Sequence, residues 1–97
     1  MRVISNRMLR DFAKLYRDAD APLQQWRYLI EHGRYTSYAD LKAAFNAVDR
    51  VDDYYVFDIG GNKYRVITYI HFQAQHCYVK HVLTHKEYDK GRWRHRL

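Results

Sequence analysis

Cysteine is almost absent from this chain: Cys77 stands alone, so no internal disulfide can staple the fold. A single thiol of this kind suits a reducing compartment, and a cytoplasmic chain is expected. No stretch approaches the ~18 consecutive apolar residues of a membrane span. The opening Met1-Arg2-Val3-Ile4-Ser5 also lacks the apolar run of a signal peptide, so no membrane association is expected. Proline occurs once and glycine four times, leaving no low-complexity tract, repeat or interdomain linker. Acidic side chains run short in one region only. Residues 60–97 hold two Asp or Glu against eight Lys or Arg, whereas residues 1–59 hold nine of each.

What is present is apolar and aromatic. Hydrophobic residues make up 47% and aromatics 16% of 97 residues, enough to fill one core, so residues 1–97 read as a single domain. The net charge of +6 favours a polyanionic partner, and its whole excess lies in the last third of the chain.

The pattern along the chain is α+β. Met1–Ile4 suits a short strand. Ser5 can cap a helix running to about Arg17, with Met8, Leu9, Phe12, Leu15 and Tyr16 on one stripe and Arg7, Arg10, Lys14 and Arg17 mainly elsewhere. A second helix opens near Asp20, takes Pro22 in its first turn, buries Leu23, Trp26 and Ile30, and stops at Gly33. Ser37 with Asp40 resembles a capping box for a short third helix carrying Leu41, Ala44 and Phe45. From Val51 the period becomes strand-like. Tyr54–Ile59, the turn Gly60-Gly61-Asn62, Lys63–Phe72, the turn Gln73-Ala74-Gln75 and His76–Leu83 form an antiparallel meander of three strands. Thr84 onward offers one helical turn before Gly91. The expected architecture packs the opening strand's sheet under two to three helices on one face and leaves the other face free for function.

Alternation places Lys63, Arg65, Ile67 and Tyr69 on one face of their strand. On the next strand it places His76, Tyr78, Lys80, Val82 and Thr84 together, and sends Cys77, Val79, His81, Leu83 and His85 toward the helices. Lys80 and Tyr78 are thereby expected to share the open face with Arg65 and Lys63, a mixture of cations and aromatics suited to phosphates and unpaired bases. The segment Thr84-His85-Lys86-Glu87-Tyr88-Asp89-Lys90 then packs an imidazole, carboxylates, a phenol and two amines where the sheet ends. RNA cleavage by a 2′-hydroxyl needs a proton acceptor, a charge stabiliser and a proton donor, and these residue types supply all three. A solvated sheet face and a frayed polar tail fit the same residues. The histidines do not form a metal motif: His71, His76 and His81 recur every five residues, which sends successive ones to alternate faces of a strand. Cys77 reads as a small buried apolar residue.

The run Val56-Phe57-Asp58-Ile59-Gly60-Gly61-Asn62-Lys63-Tyr64-Arg65-Val66-Ile67 and the closing Val82-Leu83-Thr84-His85-Lys86-Glu87-Tyr88-Asp89-Lys90 resemble the HigB family of bacterial toxins. Met1–Ser5, Pro22-Leu23-Gln24-Gln25-Trp26 and Tyr38-Ala39-Asp40-Leu41-Lys42 fit the same family, so the resemblance spans nearly the whole chain. It implies a RelE-like fold and an mRNA interferase that needs no metal or other cofactor. Such a toxin cleaves messenger RNA on the ribosome by 2′-hydroxyl attack and is restrained by a cognate antitoxin, expected to be of helix-turn-helix type. On this reading Arg65 and Lys80 offset charge on the scissile phosphate with help from Lys63, His85 is the preferred general acid or base with Glu87 as a second candidate base, and Tyr88 stacks on a base or donates a proton. Asn62, Tyr78, Lys86, Lys90, Arg92 and Arg94 bind RNA, and Arg96 and Trp93 add affinity. Two other functions use the same residues: a noncatalytic RNA-binding module, and a regulator acting through protein contact alone.

Overall fold

The computed structural model of the chain describes residues 1–95. Five strands form one sheet in the order β1-β5-β4-β3-β2, with β1 Arg2–Ile4, β2 Val48–Val51, β3 Tyr54–Ile59, β4 Tyr64–His71 and β5 His76–Thr84. Strands β2 to β5 pair antiparallel in chain order, and β1 returns through the helices to lie parallel beside β5. The expected meander is therefore present with one strand more. Val48-Asp49-Arg50-Val51 shows only two apolar residues to a sequence reader, yet it pairs along β3 after a turn at Asp52, whose φ is 55°.

Helices α1 Asn6–Leu15, α2 Asp20–His32 and α3 Tyr38–Ala44 cover one face. The principal core lies beneath them: Leu9, Leu23, Trp26, Ile30 and Leu41 meet Phe57, Ile59, Tyr64, Val66, Cys77 and Val79 of the sheet. Packing of these faces supplies most of the stability, since helices this short are marginal alone. α1 is rotated from its expected stripe. It buries Leu9 and Ala13, while Leu15 is 80% exposed and Met8 and Tyr16 are exposed as well. Gly33 ends α2 by a close approach rather than by a left-handed backbone, because a Cβ there would sit 2.3 Å from the Tyr35 hydroxyl. At α3, Ser37 accepts from the Asp40 amide as expected, but the Asp40 carboxylate turns back one residue further and accepts from the Thr36 amide and hydroxyl.

The other sheet face is not free. The chain leaves β5 through α4 His85–Asp89 and a 3-10 turn, Arg92–His95, that fold back across it. Trp93, 3% exposed, closes a second small core with Val56 and Ile67, flanked by Leu83, Tyr54 and Tyr88. Trp93 is thus a plug on the sheet rather than an open stacking surface. Arg96 lies outside the described residues.

One irregularity decides which side chains meet. Ile67 pairs with His81 and Thr68 with Val79, so Lys80 is an extra, bulged residue in β5. Up to Val79 the expected alternation holds, with Tyr78 opposite Tyr69 and Cys77 in the helix-side core. Past the bulge it reverses: His81 pairs with Ile67 and Leu83 with Arg65 on the outer face, while Val82 packs on the helix-side core. The expectation that His81 and Leu83 turn toward the helices, with Val82 and Thr84 opposite, is corrected accordingly.

Candidate functional site

The turn between β3 and β4 builds the site. Gly60, Gly61 and Asn62 have φ of 66°, 62° and 74°, three successive left-handed residues that reverse the chain tightly. Asp58 and Arg65 emerge as cross-strand partners on the outer face. Arg65 is only 11% exposed, and its Nη1 donates to Asp58 Oδ1 at 3.1 Å and to the carbonyls of Asn62 and Tyr64 at 3.2 and 3.1 Å. Its Nη2 donates to Asn62 Oδ1 at 2.7 Å and lies 3.3 Å from His85 Nδ1. A rigid guanidinium fork with several donors is suited to gathering groups in this way.

His85 reaches this cluster because β5 ends in a helix start. Thr84 forms a full capping box with Glu87: its hydroxyl accepts from the Glu87 amide, and the Glu87 carboxylate accepts from the Thr84 amide. The His85 amide donates to the Lys63 carbonyl at 2.8 Å, which ties the first residue of α4 to the turn. The His85 ring then stands with Nδ1 3.0 Å from the Asn62 carbonyl and Nε2 2.9 Å from Asp89 Oδ2, one helical turn on. Nε2 faces a carboxylate, whereas Nδ1 faces both the Asn62 carbonyl and the Arg65 Nη2 donor. A neutral ring therefore has two satisfied tautomers: Nδ1–H donating to Asn62 with the lone pair on Nε2, or Nε2–H donating to Asp89 with Nδ1 accepting from Arg65.

Tyr88 completes the corner. Trp93 stacks on its ring with centroids 5.4 Å apart, the Trp93 indole donates to the Tyr88 carbonyl, and the Arg65 guanidinium lies 5.4 Å from the ring centre. Burial holds the Tyr88 phenol above its ordinary range, against the pull of Arg94 and Arg65, so it carries its proton at neutral pH. Lys86, Glu87, Lys90, Arg92 and Arg94 are exposed around this corner. Between them and the sheet, His81, Leu83, Glu87, Lys90, Arg92 and Trp93 line a hollow of about 140 Å3.

The structure brings Asn62, Arg65, His85 and Tyr88 together and leaves other sequence-chosen residues apart. Lys63 does not share the Arg65 face. As a turn residue it reaches the helical layer, where its Nζ donates to Asp18 Oδ2 at 3.1 Å beside the Tyr64 hydroxyl, which also donates to Asp18. Lys80 sits exposed at the bulge, opposite Ile67 and Thr68 rather than Arg65. Tyr78 is on the outer face as expected but pairs with Tyr69, four residues along β4 from Arg65, or ~13 Å at strand rise. There its hydroxyl meets His76 Nδ1 at 3.2 Å. His85 does not point under the helices as parity implied, because α4 begins at that residue. Sequence reasoning passed over Asp58 and Asp89. Pairing across the Gly60–Lys63 turn sets Asp58 opposite Arg65, and the i, i+4 spacing sets Asp89 on His85, so both were available signals.

A mostly antiparallel sheet under three helices, with a sheltered arginine, a clamped histidine and a tyrosine at one corner, makes a small basic α+β domain, and its sequence places it in the RelE-like toxin class. The sequence profile of the HigB toxin, described as the RelE-like toxic component of a toxin-antitoxin system, matches residues 19–91, and the chain belongs to that family. It is 37% identical to the mRNA interferase toxin HigB of Escherichia coli K12 over 92 residues, covering 92% of this chain and 88% of that protein. The mRNA interferase HigB of Shigella flexneri matches at the same identity and coverage. The mRNA interferase HigB of Escherichia coli O6:H1 is 32% identical over 93 residues, covering 93% and 90%.

Proposed function

We propose that this chain is an mRNA interferase that cuts messenger RNA on the ribosome, in the cytoplasm, by attack of a ribose 2′-hydroxyl on the adjacent phosphodiester. The observation that carries this reading is that one sheltered guanidinium, Arg65, meets both the His85 ring and the Tyr88 ring, with the Asn62 carbonyl at His85 Nδ1 and Asp89 at Nε2. In the reaction a 2′-oxygen to phosphorus bond forms and the phosphorus to 5′-oxygen bond breaks. The products are a 2′,3′-cyclic phosphate and a 5′-hydroxyl. His85 Nε2, released from Asp89, takes the 2′-hydroxyl proton. Tyr88 keeps its proton at neutral pH and donates it to the departing 5′-oxygen.

Arg65 acts here as a positioning residue. Most of its N–H groups are already committed to Asp58, Asn62 and Tyr64, so it fixes the turn against α4 and lends positive charge at short range. Lys86, Lys90, Arg92 and Arg94 are exposed and track the RNA backbone, with Asn62 at the rim. Lys63, Tyr78 and Lys80 stand away from the corner and contribute at most to RNA affinity. Family membership implies an antitoxin that restrains the activity; we assign it to the helix-turn-helix type.

The test is cleavage of a 5′-labelled message with and without ribosomes, with the new 3′ ends analysed chemically. Cyclic phosphate ends that increase when ribosomes are added are expected. His85→Ala should lower the cleavage rate roughly 10²–10⁴-fold while RNA binding persists. Cleavage by His85→Ala at the wild-type rate, or products ending in a 3′-hydroxyl, would rule the mechanism out.

A further inference from the structure

The helical layer carries a second charged surface that the cleavage reaction leaves unused. Arg7, Arg10, Lys14 and Arg17 project from α1 and the turn after it, against a single carboxylate within the helix, Asp11, which lies 3.6 Å from Arg7 and 3.7 Å from Lys14. Arg10, Lys14 and Arg17 surround a depression of about 390 Å3 floored by Ala13 and edged by Asp20. Among the described residues neither Arg10 nor Arg17 has an ion-pair partner. Asp18, the other acid nearby, is engaged with Lys63 and Tyr64.

An RNA surface would account for the cations but not for their neighbours. Leu15 is 80% exposed, more than any other large apolar side chain of the described residues, and Met8, one heptad earlier, is exposed on the same side of α1. A leucine set among cations offers little to a phosphate backbone. It suits a protein segment that presents an aliphatic side chain to cover it and carboxylates to meet the arginines. α1 also lies across the sheet from the His85 corner, on the helix-covered face.

We propose that the outer face of α1 receives the antitoxin, through an acidic segment whose aliphatic anchor covers Leu15. This rests on the chain being a toxin of a toxin-antitoxin pair and not on the assignment of His85.

The experiment is calorimetric titration of the full chain with its cognate antitoxin, using Arg10→Glu/Arg17→Glu, Leu15→Ser and Arg10→Lys/Arg17→Lys. All three side chains are exposed, so the variants should melt as the wild type does. The charge reversal should weaken antitoxin binding roughly 100-fold, and Leu15→Ser roughly tenfold. The lysine pair should stay within a few-fold of wild type, and each free variant should cleave RNA normally. Antitoxin binding by the charge reversal within about threefold of wild type would overturn the proposal. So would a matching loss of affinity for a 20-nucleotide single-stranded RNA, which would make α1 an RNA surface. Failure of the cleavage mechanism instead shows as wild-type activity in His85→Ala, leaving the α1 titrations untouched.

Discussion

Two ionic clusters grow from the same turn and differ in everything but origin. On the helical side, Lys63 and Tyr64 converge on Asp18, with the lysine 64% and the aspartate 53% exposed at the side chain. On the outer side, Arg65 joins Asp58, Asn62 and His85, with the arginine 11% and Asp58 27% exposed. Water screens the first cluster and competes for its hydrogen bonds, so holding two long side chains there gains little. The second is sheltered, and its members lack good alternatives when one is removed. Neighbouring cations two residues apart in sequence therefore have unequal importance. Shelter, more than charge, marks where the chain has fixed a geometry.

The strongest way to break this comparison is Arg65→Ala. It should cost about 2–3 kcal/mol in denaturant unfolding, since Asp58 and the Asn62 carbonyl lose a charged donor in a partly buried place. Cleavage should fall with it as His85 loses its frame. A loss equal to that of Lys63→Ala would abolish the distinction. Next comes Thr84→Ala, which removes half of the capping box that starts α4 and should cost about 1 kcal/mol, read in the same unfolding assay. If His85 depends on that helix start, activity should drop further than stability explains.

A smaller effect sharpens the exposed cluster by pH. The hydrogen bond to Asp18, the largest cause, pushes the Tyr64 phenol up to about 12. A group whose value is raised by folding adds stability that is complete below its unfolded value, near 10, and lost as pH climbs toward 12. Wild type should therefore lose stability over that interval faster than Tyr64→Phe. Buried Cys77, also raised to about 12, declines equally in both proteins, so the difference between the two melting curves isolates Tyr64. At the acid end the same contact and Lys63 hold Asp18 below its ordinary range, so its contribution is present above pH ~4 and fades below. The least effect is expected for Lys63→Ala, with no measurable change in melting temperature near neutral pH.

Much of the fold was legible because local chemistry and global packing agree. Ser37 caps α3, Leu23, Trp26 and Ile30 bury α2, and Gly60-Gly61-Asn62 turns the hairpin, each for reasons visible in a few neighbouring residues. The candidate site was legible in part. Arg65, His85, Asn62 and Tyr88 do meet, but parity alone misassigned Lys63, His81, Leu83 and His85. A bulge is settled by how two strands pack, not by the strand that carries it, and nothing around Lys80 announces one. Trp93 was hidden for a related reason: a tryptophan among arginines reads as a surface residue until the tail is seen lying across Ile67 and Val56.

That bulge acts on β5 like half a twist in a ribbon. Were Lys80 drawn into the ladder as an ordinary paired residue, His81 and Leu83 would swing beneath the helices and Val82 would turn toward the tail. Trp93 would lose its seat beside Leu83, and the corner would be dismantled although not one of its own residues had been touched. Deleting Lys80 outright has the opposite outcome, because Val79 and His81 then alternate regularly and keep the faces they hold now. Aligned relatives with a gap at this single position should accordingly be read as proteins wired the same way, with a straighter ribbon.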